Sequence, residues 1–166
     1  MKLKRKLYSY SLENLLVPTN KDLVSLRNDN FPKFYIDYLE KINPIISNEL
    51  EDDDLFCFPF AINFKHSGVN LDDLKVIKNG KSYTACITTD PTSSFDMENS
   101  ALVYIGEDNS FYERKGLSLF TKFEKIINIK QFLLDEIIGD KSGSIYWDGE
   151  EMPESIKKIV NMIKKL

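Results

Sequence analysis

Reactive chemistry in this chain has few places to start. It holds one histidine, His66, two cysteines, Cys57 and Cys86, and 26 acidic side chains. His66 with Cys57 would make a thiolate pair if the fold set them within hydrogen-bond reach, because a nearby base lowers a thiol's pKa. A core cysteine and a loop histidine ahead of Ser67-Gly68 account for the same residues. Asp52, Asp53 and Asp54 look like a DxD cluster or a cation site, since hard cations want several carboxylate oxygens. A solvated acidic loop, or an acidic docking surface that speeds association with a basic partner, fits them too. Glycoside hydrolysis asks only for two acids at a suitable separation in a cleft. A small acid-dependent hydrolase or metal-dependent enzyme, drawing on Asp52 to Asp54, Asp90 and Asp96, therefore stands as the alternative function. No GxGxxG, GxxxxGKS/T, HExxH, GxSxG or paired CxxC string occurs, so the readings that rest on those strings fail. We expect no catalytic residue, no cofactor and no metal.

These residues must be carried by one unit. The 166 residues, 42% hydrophobic and 29% charged, have the profile of a single soluble domain over 1–166, large enough to bury a core without disulfides or metal. The net charge of -4 and a pI near 5.1 argue against a nucleic-acid binder, which needs a basic surface. No run approaches the apolar length of a membrane span, and the cysteines fit no disulfide framework, so a cytoplasmic protein is expected. Lys2, Lys4, Arg5 and Lys6 mark residues 1–10 as a basic arm. Five carboxylates and no base lie between Glu49 and Asp54.

The periodicity predicts a short helix over NKDLVSLR capped by Asn20, then a helix over FPKFYIDYLEKINP. In the second, Tyr35, Tyr38, Leu39 and Ile42 form the buried stripe, Phe31 staples the first turn, and Pro44 ends it. The period changes to two from Phe56 to Phe64, with Pro59 marking an edge strand. Asn79-Gly80 predicts a hairpin with Val76 facing Tyr83 and Leu74 facing Ala85, Ile87 extending the same face. A second ribbon runs from Leu102 to Ile105 and from Ser110 to Glu113. Leu119 to Ile127 reads as a strand, although Phe123, Ile126 and Ile127 also fit the stripe of a long helix. Asn128 then caps a helix that begins at Ile129, carries Phe132, Leu133 and Ile137 inward and stops at Gly139. Pro153 opens a last helix with Ile156, Ile159, Val160, Ile163 and Leu166 as its stripe. Helices, then antiparallel strands, then helices give an α+β fold: a central, mostly antiparallel sheet flanked by helices, with an extra C-terminal helix.

The string FPKFYIDYLEKINP resembles the SUKH superfamily, the Smi-Knr-like proteins, whose early helix carries Leu-Pro, then x-x-Tyr and an apolar Phe-Leu pair. Phe31-Pro32, Tyr35, Tyr38 and Leu39 stand in those places. ITTDPTSSFDM with ALVYI is similar to the family's strand, polar turn and strand. NIKQFLLDEI is similar to its closing Ser-Phe-x-x-Phe-Leu helix at Ile129, Phe132 and Leu133. The resemblance covers a core from Leu12 to Ile138. Residues 139–166 form an extension, hairpin and helix, with no counterpart. It implies a non-catalytic immunity protein that binds and neutralises a cognate bacterial toxin, in many members a nuclease, as a monomer or weak homodimer. The residues expected to meet that partner are the acidic Glu49, Glu51, Asp52, Asp53, Asp54, Asp72, Asp73, Glu107 and Asp108. Trp147, beside the Asp148-Gly149 turn, is the aromatic anchor, with a cover over the C-terminal helix as its other reading.

Overall fold

The computed structural model describes residues 16–50, 58–89, 101–116, 120–139 and 152–166. Helices α1 (Asn20–Asn28) and α2 (Lys33–Asp37) lead through a wide π-turn at Tyr38–Ile42 into α3 (Asn43–Glu49). The strands are β1 (Phe60–Ala61), β2 (Lys75–Lys78), β3 (Lys81–Thr88), β4 (Val103–Gly106), β5 (Phe111–Lys115) and β6 (Lys122–Lys125). A 3-10 turn at Leu71–Leu74 precedes β2, and α4 (Ile129–Ile138) and α5 (Glu154–Lys165) close the chain. All strand pairings are antiparallel: β3, β4, β5 and β6 follow one another, while β1 and β2 share the other edge of β3. This is the expected α+β architecture.

Two helix boundaries differ from expectation. Thr19, not Asn20, caps α1: its hydroxyl accepts from the Asp22 N–H at 3.1 Å while the Asp22 carboxylate accepts from the Thr19 N–H at 3.0 Å, a reciprocal box that satisfies two otherwise orphaned donors. Pro44 does not end the second helix. The Asn43 N–H reaches back five residues to the Tyr38 carbonyl, and the widened turn makes room for a ring that would otherwise strike the carbonyl four residues back. Pro44 then occupies the first turn of α3, where its missing N–H costs nothing.

The helical segment does more than pack. Tyr35, Tyr38, Leu39 and Ile42 are fully buried as their spacing predicts. Phe31 lies against the Tyr35 and Phe64 rings at 5.9 and 5.2 Å. The segment also acts as a partner strand for β1. Asn43 accepts from the Ala61 N–H at 3.0 Å and donates to the Ala61 carbonyl at 2.7 Å, the Tyr38 hydroxyl donates to the Pro59 carbonyl at 2.8 Å, and Tyr35 donates to the Ile62 carbonyl at 2.5 Å. Burial pushes both phenol groups up, so they remain protonated donors. A bare strand edge is thereby closed by side chains. Among the described residues the phenylalanine run pairs with β3 at Phe60–Ala61 and through the Ile62 N–H, which donates to the Cys86 carbonyl at 2.8 Å. Phe58, Phe60, Ile62 and Phe64 are buried together with Ala61 and Asn63. Both sides of the segment are covered, so the alternation does not mark one wet face; Phe56 and Cys57 lie outside the described residues.

In β3 the predicted single face breaks at a bulge. Ala85 pairs with Tyr104 but Ile87 pairs with Val103, so Ile87 points to the side opposite Ala85. Leu74 is buried in the 3-10 turn and does not reach the ladder opposite Ala85, which begins at Lys75–Thr84. The last two helices match their patterns: Asn128 caps α4 by accepting from the Gln131 N–H at 3.0 Å, and Gly139 follows at φ +92°. Ile156, Ile159, Val160 and Ile163 of α5 are buried against α3, α4 and the π-turn. The C-terminal helix is part of the same core as the elements that precede it.

Candidate partner-binding surface

The β2–β3 hairpin is fixed by its turn. Asn79 at φ +53° and Gly80 at φ +75° supply the two left-handed residues that a two-residue loop needs. The resulting register puts Val76 opposite Tyr83 and Ile77 opposite Ser82. Val76 and Tyr83 point to a face where aromatic rings converge. Tyr83 stacks on Phe123 at 4.0 Å and meets Tyr112 edge-on at 5.1 Å, and Tyr104 meets Phe123 at 5.0 Å. Tyr83 and Phe123 stand on strands three places apart, about 14 Å in a flat sheet, so the sheet curls around this cluster. Gly106 lets it curl: a Cβ there would lie 2.5 Å from the Tyr112 ring.

With Val76 turned inward, Ile77 must point the other way. Its side chain is 75% exposed although the backbone beneath it is paired. The predicted acids lie on two sides of this short strand. Asp72 and Asp73 sit in the 3-10 turn at its start, with Asp72 3.5 Å from Lys75. Across β3 from the strand, the Glu107 carboxylate accepts at 2.8 Å from the N–H of Ser82, the residue paired with Ile77. Asp108 follows in the β4–β5 turn, accepting from the Tyr112 hydroxyl at 2.7 Å and the Ser110 N–H at 3.1 Å, with Lys125 at 3.2 Å. Asn109, at φ +65°, donates to the Asn30 carbonyl at 2.9 Å. Ile77 thus stands near the middle of a strand about 13 Å long, with Asp72 and Asp73 at its start and Glu107 across β3 from it. Asp108 is tied to Tyr112 and Lys125 on the aromatic face. Around Ile77 the surface carries acids on two sides. Lys75, Lys78 and Lys81 interleave the acids, so it is a mixed-charge surface rather than a purely acidic one.

The other candidates fall elsewhere. Glu49 makes an ion pair with Lys158 at 2.7 Å that ties α3 to α5. Glu51, Asp52, Asp53, Asp54 and Trp147 lie outside the described residues, as do Asp90 and Asp96. His66 accepts from the Gly68 N–H at 3.0 Å through Nδ1 and so shapes its own turn. Cys86 is buried, its thiol pushed up by desolvation and placed 3.4 Å from the Val103 carbonyl. Among the described residues no group of three or more His, Cys, Asp or Glu side chains is placed to hold a metal ion, and no helix is long and apolar enough to cross a membrane. Ile77 is not among the residues that charge or motif marks as candidates. Its signal was present in Lys-Val-Ile-Lys, where only one of two neighbouring apolar residues can face inward.

Asp108 and Tyr112 give a titration test of the turn. Against a desolvation that alone would raise it, bonds from Tyr112, Ser110 and Lys125 hold the Asp108 carboxyl at about 2. The same Asp108 bond pushes Tyr112 up to about 12. A depressed carboxyl contributes stability above its unfolded pKa and loses it as pH falls toward 2; a raised phenol contributes below its unfolded pKa and loses it as pH rises toward 12. In Tyr112→Phe, carbon-detected NMR should find the Asp108 carboxyl titrating closer to the ordinary value of about 3.9. An unchanged Asp108 titration would show that the phenol bond does not set it.

Comparison of the chain with protein-family models, with curated proteins and with solved structures finds no match.

Proposed function

We propose that this chain is a non-catalytic immunity protein of the cytoplasm, which holds a cognate protein toxin against the β2–β3 hairpin and so blocks it. The observation that carries the reading is Ile77: a large apolar residue held 75% exposed on a paired strand, with Asp72 and Asp73 at the start of that strand and Glu107 across β3 from it. Such a group on a pre-formed strand can bury apolar area without first being ordered, which lowers the entropy cost of association. The flanking acids and lysines fix register and favour one partner over others. The resemblance of FPKFYIDYLEKINP to SUKH proteins supports the class of partner. A basic nuclease would meet the carboxylates, and the interleaved lysines would meet acids of the same toxin.

The test is co-expression with the product of the neighbouring gene. Rescue of growth together with co-purification identifies the toxin. Ile77→Asp should then lose both, while its thermal midpoint stays within a few degrees of the parent, because the side chain it replaces faces solvent. Rescue that survives Ile77→Asp would remove the hairpin as the binding surface. Turnover of a small substrate that is abolished by neutralising one acid would remove the non-catalytic reading itself.

A further inference from the structure

We propose that the outer edge of β6 is a self-association surface, on which a second copy of this chain adds its own β6 antiparallel to the first. Among the described residues β6 pairs only with β5. The Ile126 N–H donates to the Phe111 carbonyl at 2.8 Å, so by the alternation of an antiparallel ladder Lys122, Glu124 and Ile126 turn their backbone groups toward β5. Phe123 and Lys125 turn theirs outward. The same edge is flanked by the two most exposed large apolar side chains of the described residues, Phe120 at 86% and Ile127 at 99%. An exposed strand edge with apolar ends is a template for another strand.

The charges select both the occupant and the register. A two-fold antiparallel pairing must set outward-turned residues opposite one another, which leaves registers centred on Lys122, Phe123, Glu124 or Lys125. Three of these place a charged residue opposite its own copy. Centring on Phe123 instead sets Lys122 of each chain opposite Glu124 of the other, giving two unlike pairs, and like charges directly opposite are what a ladder avoids. In the same register the Phe120 end of one β6 meets the Ile127 end of its partner, so both exposed apolar groups gain cover at each end. Within one chain Glu124 is bridged by Lys115 at 3.0 Å and Lys122 at 2.8 Å, so the dimer exchanges the bridge to its own Lys122 for one to the second copy's. The strand is short, and the dimer belongs to the weak class. In strand order this edge is at the other end of the sheet from β2, and the variants at Glu124, Lys122 and Phe120 differ from the Ile77 variant that tests toxin binding, so the two readings are scored by separate measurements.

Sedimentation velocity of the full chain from micromolar to millimolar concentration tests this. The parent should show a concentration-dependent monomer–dimer equilibrium. Glu124→Lys, which sets lysine against lysine twice, should weaken it about tenfold. The Lys122→Glu, Glu124→Lys double variant restores unlike charges only in the Phe123-centred register, and it should return the dimer. Thermal melts of each variant serve as the folding control; should Glu124→Lys unfold, the charge-swapped double variant and Phe120→Ser carry the comparison, the first dimeric and the second weakened. A parent that stays monomeric throughout, or a dimer that ignores Glu124→Lys, or one that the double swap fails to restore, overturns the proposal.

Discussion

Asn43→Leu should be among the most destabilising single changes in this protein, lowering the unfolding free energy by about 4 kcal/mol. Asn43 is fully buried and satisfies both backbone groups of Ala61 at 2.7 and 3.0 Å. Leucine fills a similar volume but leaves a buried N–H and a buried carbonyl without partners, at about 1–3 kcal/mol each. For a chain of this length the loss should lower the midpoint of thermal unfolding by about 8–16 °C. Asn43→Asp separates the two bonds. The carboxylate still accepts from the Ala61 N–H but faces the Ala61 carbonyl without a proton, so its folded-state pKa must rise. A raised carboxyl favours the fold only while protonated, so this variant should gain stability as pH falls through the carboxyl range, where the parent does not. A variant with parental stability at neutral pH would show that the helix-to-strand amide bridge is dispensable.

The second large effect is expected at Gly106→Ala, and it can be located by a double-variant cycle. The added Cβ would sit 2.5 Å from Tyr112 Cε2 and 3.0 Å from Asp108 Oδ1. Because the ring is held between Tyr83 and the Asp108 carboxylate, it cannot swing away without losing both contacts. Overpacking of this kind costs about 1–3 kcal/mol, and the lost hydroxyl bond places this case at the upper end. Combining it with Tyr112→Leu removes the obstacle. The double variant should therefore be more stable than the sum of the single losses predicts, by about 1 kcal/mol or more, as coupled neighbours show. Strict additivity would mean that the ring does not contact the strand at Gly106.

Much of the architecture was legible because it is written in local spacing. The stripe of Tyr35, Tyr38, Leu39 and Ile42, the Asn79-Gly80 turn, the Asn128 cap and the C-terminal stripe from Ile156 to Ile163 each depend on residues within a few positions of one another. Pro44 departs from the local rule because a helix can widen by one residue and absorb a proline. The β3 bulge was invisible for a similar reason, since an extra residue in a ladder is defined only by the strand it faces. The candidate surface was half legible. The charge of Asp72, Asp73, Glu107 and Asp108 marks them as candidates, but nothing in their spacing says that Glu107 reaches Ser82 across from Ile77 while Asp108 turns to Tyr112 and Lys125.

The amino-acid order by itself determined which side of each helix is apolar, where the chain must turn, and that acids rather than nucleophiles dominate its exposed chemistry. Only the tertiary structure decided which apolar side chains are left uncovered. Ile77, Phe120 and Ile127 are as hydrophobic as the residues of the core, and what separates them is whether another element packs above them. That depends on sheet order and curl, which arise from contacts between residues far apart in the chain: the rings of Tyr83 and Phe123 stacking across β3 and β6, the Tyr112 ring lying over Gly106, and helix side chains closing the edge of β1.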